Sequence, residues 1–150
     1  HCANQFNIKP NVILSGRKIN NFMPKFIVNC FYNLIKKRKI NVKNILIFGA
    51  TFKENCNDIR NSKSIEIAKI LSKKKFNVDF YDPLVRESRI DQFRNVRSIK
   101  NNHYSAFFFN VKHKSFLKLD VDKMRNQLKE KGLILDIQNI FSSSKTDFCL

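Results

Sequence analysis

The residues best placed to do chemistry stand where short apolar runs end. Ile45-Leu-Ile-Phe-Gly49 closes on a glycine, and a second run closes on Tyr81-Asp-Pro83. In an open parallel sheet, ligands bind where strands end and helix N-termini present free N–H groups. The loop after Gly49 and the carboxylate Asp82 therefore mark the expected binding edge. The loop Gly49-Ala-Thr-Phe-Lys-Glu54 has a single glycine. It lacks the second and third glycines that let a dinucleotide pyrophosphate approach the backbone. His113 follows a further apolar run and reads equally as a nucleotide contact or as an ordinary loop histidine. Asp58 and Arg60 form an Asp-x-Arg pair, in which the carboxylate holds the arginine rather than performing acid–base work.

Several other chemistries are disfavoured. Cys2, Cys30, Cys56 and Cys149 lie far apart, with no Cys-x-x-Cys pair and no histidine at zinc-ligand spacing. This argues against a disulfide framework and a structural metal, and it fits a reducing cytoplasm. Lys plus Arg number 29 against 12 acids, a net charge of +17. These cations are scattered and interleaved with Asn, Ile and Phe, as the codon bias of an AT-rich gene produces. No RNA-binding or helix-turn-helix pattern accompanies them, so nucleic acid is not the expected partner. No apolar run approaches the ~20 residues that cross a bilayer.

The elements that must position these residues follow from periodicity. Phe26, Ile27, Cys30, Phe31, Leu34 and Ile35 share one helical face, which predicts a helix over residues 23–39 with Pro24 in its first turn. That face is expected to be exposed and to seek a partner, with Cys30 part of it. Residues 44–49 predict a buried parallel strand, 62–75 a helix capped by Ser62, and 76–81 a second strand. Strand, helix and strand in this order form a right-handed βαβ unit. Strands over 104–110 and 132–137 and a helix over 122–131 extend it, residues 85–102 are ambiguous between helix and loop, and 142–144 read as a loose tail. The fold class is α/β with a Rossmann-like parallel sheet.

Five motifs in order then carry a resemblance. Ser15-Gly-Arg-Lys-Ile-Asn20 with Met23-Pro24, Gly49-Ala-Thr-Phe-Lys-Glu-Asn-Cys-Asn-Asp-Ile-Arg-Asn-Ser62, Tyr81-Asp-Pro83, His113 with Phe116, and Leu135-Asp-Ile-Gln-Asn139 span nearly the whole chain. Together they resemble the C-terminal part of the UDP-glucose/GDP-mannose dehydrogenase family, in its branch acting on UDP-N-acetylhexosamines. The resemblance implies an NAD-binding domain, a central helix that forms a homodimer, and a UDP-sugar-binding Rossmann-like domain. Residues 1–40 correspond to the end of the catalytic segment and the central helix, and residues 41–150 to the UDP-sugar-binding domain. The activity implied is oxidation of a UDP-N-acetylhexosamine to its uronic acid with two NAD, for surface polysaccharide biosynthesis.

The resemblance also implies site residues. His1-Cys2 is similar to the end of the family's catalytic Gly-Gly-His-Cys sequence, which makes Cys2 the nucleophile. Arg17 would bind a phosphate or sugar across the dimer interface, Lys53 would neutralise the nucleotide's charge, and Arg60 would reach cofactor or substrate phosphates. One departure is plain: family members follow the cysteine with a segment containing an Asp-Pro pair, whereas Cys2 leads almost directly into Ala3-Asn4-Gln5-Phe6. The opening at His1 reads as a cut, and the 150-residue chain alone is expected to be inactive. The competing readings are a non-catalytic nucleotide- or nucleic-acid-binding basic module and an inactive truncated remnant.

Overall fold

The computed structural model describes residues 11–150. Helix α1 (Asn11–Arg38) is followed by β1 (Asn44–Phe48), α2 (Lys63–Lys73), β2 (Asn77–Tyr81), β3 (Arg89–Ile90), β4 (Phe93–Asn95), β5 (Ala106–Phe109), α3 (Val121–Gln127), β6 (Leu133–Asp136) and β7 (Phe148–Cys149). The strands form one seven-stranded sheet in the order β3-β4-β2-β1-β5-β6-β7. Every pairing is parallel except β3 with β4. This is the Rossmann-like α/β sheet expected from the sequence.

Alternation along the buried strands divides the core in two. Ile45 and Ile47 of β1 join Phe80, Phe108, Leu133 and Leu135 in a cluster with Ile67 and Leu71 of α2 and Ile27, Val28, Phe31 and Ile35 of α1. Leu46 and Phe48 point the other way, into a cluster with Phe107, Phe109, Phe116, Met124 and Ile134. A continuous apolar run is what a strand covered on both faces requires, because neither of its faces meets water.

Several expectations are corrected. Helix α1 begins at Asn11, so Pro24 lies well inside it rather than in its first turn. The face expected to seek a partner packs on its own chain instead: Ile27, Val28, Phe31 and Ile35 are buried, while Cys30 is only half-buried and outside the core. Phe26 of that face stays exposed, and the other exposed apolar residues of α1 lie toward its start, at Val12, Ile13, Leu14, Ile19 and Phe22. Ser62 stands at the N-cap of α2, but its side chain makes no capping bond.

The ambiguous stretch is a small hairpin of β3 and β4, held by buried Asn95. Its Oδ1 accepts the Asp82 N–H at 3.0 Å, and its Nδ2 donates to the carbonyls of Val85 and Glu87 at 3.0 and 3.1 Å. Helix α3 stops at Gln127 because Leu128 is extended and Lys129 N–H turns to the Tyr104 carbonyl. The tail is not loose. A 3-10 turn leads into β7 on the sheet edge, and Asp147 there accepts from Ile134 N–H at 2.8 Å and from Arg38 and Arg125.

Candidate functional site: a cationic cleft at the switch point of the sheet

Strand order reverses at β1, with β2 on one side and β5 on the other, and the loops leaving such strands part to form a crevice. A cleft of about 470 Å3 opens there. Its walls are Thr51, Phe52, Lys53 and Glu54 from the loop after β1, Asn110, Val111 and Lys112 after β5, Gln138 after β6, Lys63 and Ser64 at the start of α2, and Asn20 of α1. Three lysines face one carboxylate, so the cleft favours an anion. Lys63 is tied to Glu66 at 2.7 Å and to Asn21 at 3.1 Å. Lys53 and Lys112 have no carboxylate partner among the described residues.

The loop carrying Lys53 is fastened from beneath. Asp82 is buried at the end of β2, and its Oδ2 accepts the Ala50 N–H at 2.7 Å. His113 is fully buried; its Nδ1 accepts the Asn55 N–H at 2.9 Å, and its Nε2 lies 3.2 Å from Asp82 Oδ2 and 3.4 Å from Thr51 Oγ1. A ring nitrogen that accepts from a backbone N–H carries no proton, so this network assigns the neutral tautomer with hydrogen on Nε2, donating to Asp82. The Asn55 side chain returns the contact by accepting the Lys114 N–H at 2.9 Å. Thr51 hydroxyl and Cys56 thiol both donate to the Lys53 carbonyl, at 2.8 and 3.1 Å. Burial alone would push the Asp82 carboxyl up, but hydrogen bonds from His113 and from the Ala50 and Leu84 N–H groups outweigh it and hold the group below the ordinary carboxylate range.

Gly49 has φ of +84°, and a side chain there would press on Val111, with Cγ2 only 2.8 Å from the added carbon. The loop's lone glycine thus serves close packing of two strand ends. No further glycine opens the backbone to a dinucleotide pyrophosphate, so this loop does not fit that group.

The expected site residues are not gathered in one place. Lys53 lies in the cleft. Arg60 does not: its side chain is 84% exposed and is held by Asp58 through bonds of 2.8 to 3.2 Å. Arg60 in turn holds the Asp58 carboxyl down at about 2. Arg17 is exposed on α1. Cys2 lies outside the described residues. Asp82 stands at the predicted edge but is consumed by the scaffold, and His113 is a buried strut rather than a ligand contact. Sequence reading passed over Asn20, Lys63, Asn110 and Lys112; the only signal for the last two was that they follow an apolar run, Phe107 to Phe109, at a strand end.

A parallel sheet with a cationic crevice at its switch point defines a Rossmann-like domain built to receive an anionic ligand. The chain belongs to the UDP-glucose/GDP-mannose dehydrogenase family, whose UDP binding domain it matches over residues 46–143. It is 31% identical to the UDP-N-acetyl-D-glucosamine 6-dehydrogenase of Salmonella typhi over 98% of this chain and 36% of that protein. It is similar to the structure of the UDP-N-acetyl-mannosamine dehydrogenase Cap5O from S. aureus, with a TM-score of 0.73, 28% identity, and coverage of 93% of this chain and 32% of that one. The UDP-D-ManNAc dehydrogenase from Pyrococcus horikoshii shares the fold at a TM-score of 0.80 and 22% identity, over 98% of this chain and 35% of that one. The chain therefore spans about a third of the length of the relatives it matches. Among the described residues no helix is long and apolar enough to cross a membrane.

Proposed function

We propose that this chain is the nucleotide-sugar-binding part of an NAD-dependent 6-dehydrogenase that oxidises a UDP-N-acetylhexosamine to its uronic acid for surface polysaccharide biosynthesis. The observation that carries this reading is the lysine-lined cleft at the switch point, in a domain of a family described by UDP binding. Lys53 and Lys112 neutralise the diphosphate there, since two cations without carboxylate partners favour a dianion in a partly dry crevice. Residues 1–40 then form the end of the catalytic segment and the central helix, and residues 41–150 the UDP-sugar-binding domain.

The remaining roles follow from the same reading. NAD accepts the hydrides; the Gly49 loop does not suit its pyrophosphate, and no hydride-transfer step is assigned to this domain. Arg60, exposed and pre-oriented by Asp58, is the residue of this chain that faces cofactor or substrate phosphates across an interdomain cleft. Cys2 is the nucleophile toward the aldehyde, and Arg17 reaches the substrate of a second protomer. A homodimer through α1 is supported by the exposed Val12, Ile13, Leu14, Ile19 and Phe22. A cytoplasmic location is supported by the free cysteines Cys30, Cys56 and Cys149.

Isothermal titration of the chain with UDP and UDP-N-acetylglucosamine tests the reading. The expected affinity is in the ~mM range, because one domain makes only part of the contacts. Lys53→Ala is expected to weaken it further. Binding unaffected by Lys53→Ala, or no binding of either ligand, overturns the proposal.

A further inference from the structure

The cleft has an inner compartment whose chemistry differs from its mouth. Beside Lys53 and Lys112 lies a second cavity of about 210 Å3, lined by Met23, Ile27, Ile67 and Ile137 and sharing Lys63 with the cleft. Asn110 lines both spaces. It is 8% exposed, and neither its Oδ1 nor its Nδ2 has a hydrogen-bond partner among the described residues. A buried amide unpaired on both atoms is unfavourable, and native folds keep such groups chiefly where something binds them.

We propose that Asn110 reads the edge of the uracil ring, with the ring seated in the inner compartment and its phosphates at the lysines of the mouth. The inference rests on the UDP-binding reading above and adds the residue that selects the base. An asparagine amide presents an acceptor beside a donor in one plane, so its partner must present a donor beside an acceptor. Phosphate offers acceptors only. A trans N-acetyl amide points its N–H and C=O in opposite directions and cannot meet both atoms at once. Uracil N3–H beside a ring carbonyl meets both, and its flat faces suit the apolar lining. Adenine N6–H with N1 or N7, cytosine N4–H with N3 and guanine N1–H with O6 present edges of the same kind, and the choice of uracil among them rests on the UDP-binding reading. Lys53 and Lys112 line only the larger space, and Met23, Ile27, Ile67 and Ile137 only the smaller one, the order in which a nucleotide presents phosphate and base.

The test uses the whole chain and four probes: ribose 5-phosphate, UMP, 3-methyl-UMP and AMP, titrated by NMR against wild type and Asn110→Leu. Wild type is expected to bind UMP ~10-fold more tightly than 3-methyl-UMP or AMP, since an unmet buried hydrogen bond discriminates by at least that factor. Asn110→Leu is expected to bring UMP down to the level of 3-methyl-UMP and to leave ribose 5-phosphate unchanged. Its melting temperature is expected not to fall, because leucine of similar size removes the unpaired amide. Equal binding of UMP and 3-methyl-UMP by wild type, with ribose 5-phosphate still bound, overturns the role of Asn110 alone. Tighter binding of AMP overturns the assignment to uracil. A lower melting temperature with equal loss of ribose 5-phosphate identifies a structural residue and also overturns the proposal. Failure of every probe to bind removes the UDP-binding reading itself.

Discussion

His113 Nε2 lies 3.2 Å from Asp82 Oδ2, joining the segment after β5 to the end of β2 beneath the loop that carries Lys53. The two residues are 31 positions apart and both fully buried. Their pairing explains why neither is available to a ligand, and why the cleft above them has a firm floor.

His113→Ala is expected to destabilise the domain by about 2–4 kcal/mol, since it leaves the Asn55 N–H without a partner, removes one of the donors to the buried Asp82 carboxylate and opens a cavity beside Phe116. Urea unfolding measures this. His113→Gln, which keeps an acceptor and a donor, is expected to recover part of the loss. Equal stability of the alanine variant and wild type would remove the strut from the account.

Lys53→Ala is expected to leave stability unchanged within about 0.5 kcal/mol, because an exposed lysine with no ion-pair partner contributes little to folding. UDP affinity is expected to fall by roughly 1.5–3 kcal/mol, the scale of a hydrogen bond to a charged group. Comparing thermal melting with titration of the same variant separates the two effects.

Asp82 and Asp147 have folded-state pKa values below the 3.8 of a free carboxyl. For Asp147 burial opposes the shift, and the Ile134 N–H with Arg38 and Arg125 outweighs it. A depressed pKa means that the unfolded chain binds the proton more tightly. The stabilisation is therefore complete above 3.8 and is lost as pH falls through the lower folded values. Melting temperatures of Asp82→Asn and Asp147→Asn are expected to lie below wild type at neutral pH, and to converge on it only under acid conditions below 3.8. A gap that persisted there at full size would show that these carboxylates act through shape rather than charge.

Gly49→Ala is expected to cost about 2–4 kcal/mol, combining strain at positive φ with overlap against Val111. Val111 is itself buried, so Val111→Gly carries its own cost, and the double variant is expected to lose less stability in equilibrium denaturation than the sum of the two single variants. Strict additivity would place the whole cost of Gly49→Ala in the backbone.

Ile19→Lys with Phe22→Lys is expected to lower the apparent mass in sedimentation if α1 joins two protomers, since both side chains are more than half exposed on its outer surface. Their melting temperatures are expected to stay close to wild type at low protein concentration, where association no longer contributes. An unchanged sedimentation profile counts against the homodimer.

The sequence by itself determined the four strands β1, β2, β5 and β6, because short apolar runs such as 44–49 and 104–110, bounded by turn residues, suit strands covered on both faces. It placed Gly49 and Asp82 at one edge through local rules that depend on neighbouring residues alone, and ordered motifs carried the family. The parts decided only in three dimensions all depend on which distant segments meet. Helix α1 reached back to Asn11 although residues 11–22 offer no buried stripe to periodicity. Asp147 turned a serine-rich tail into an edge strand by meeting Arg38 and Arg125. Asn110 and Lys112 entered the cleft because β5 lies next to β1, and strand order is set by packing of the whole sheet rather than by any local signal. His113 stood as an undecided loop histidine in the sequence, and became a strut only because folding buried Asp82 within hydrogen-bond reach of its ring.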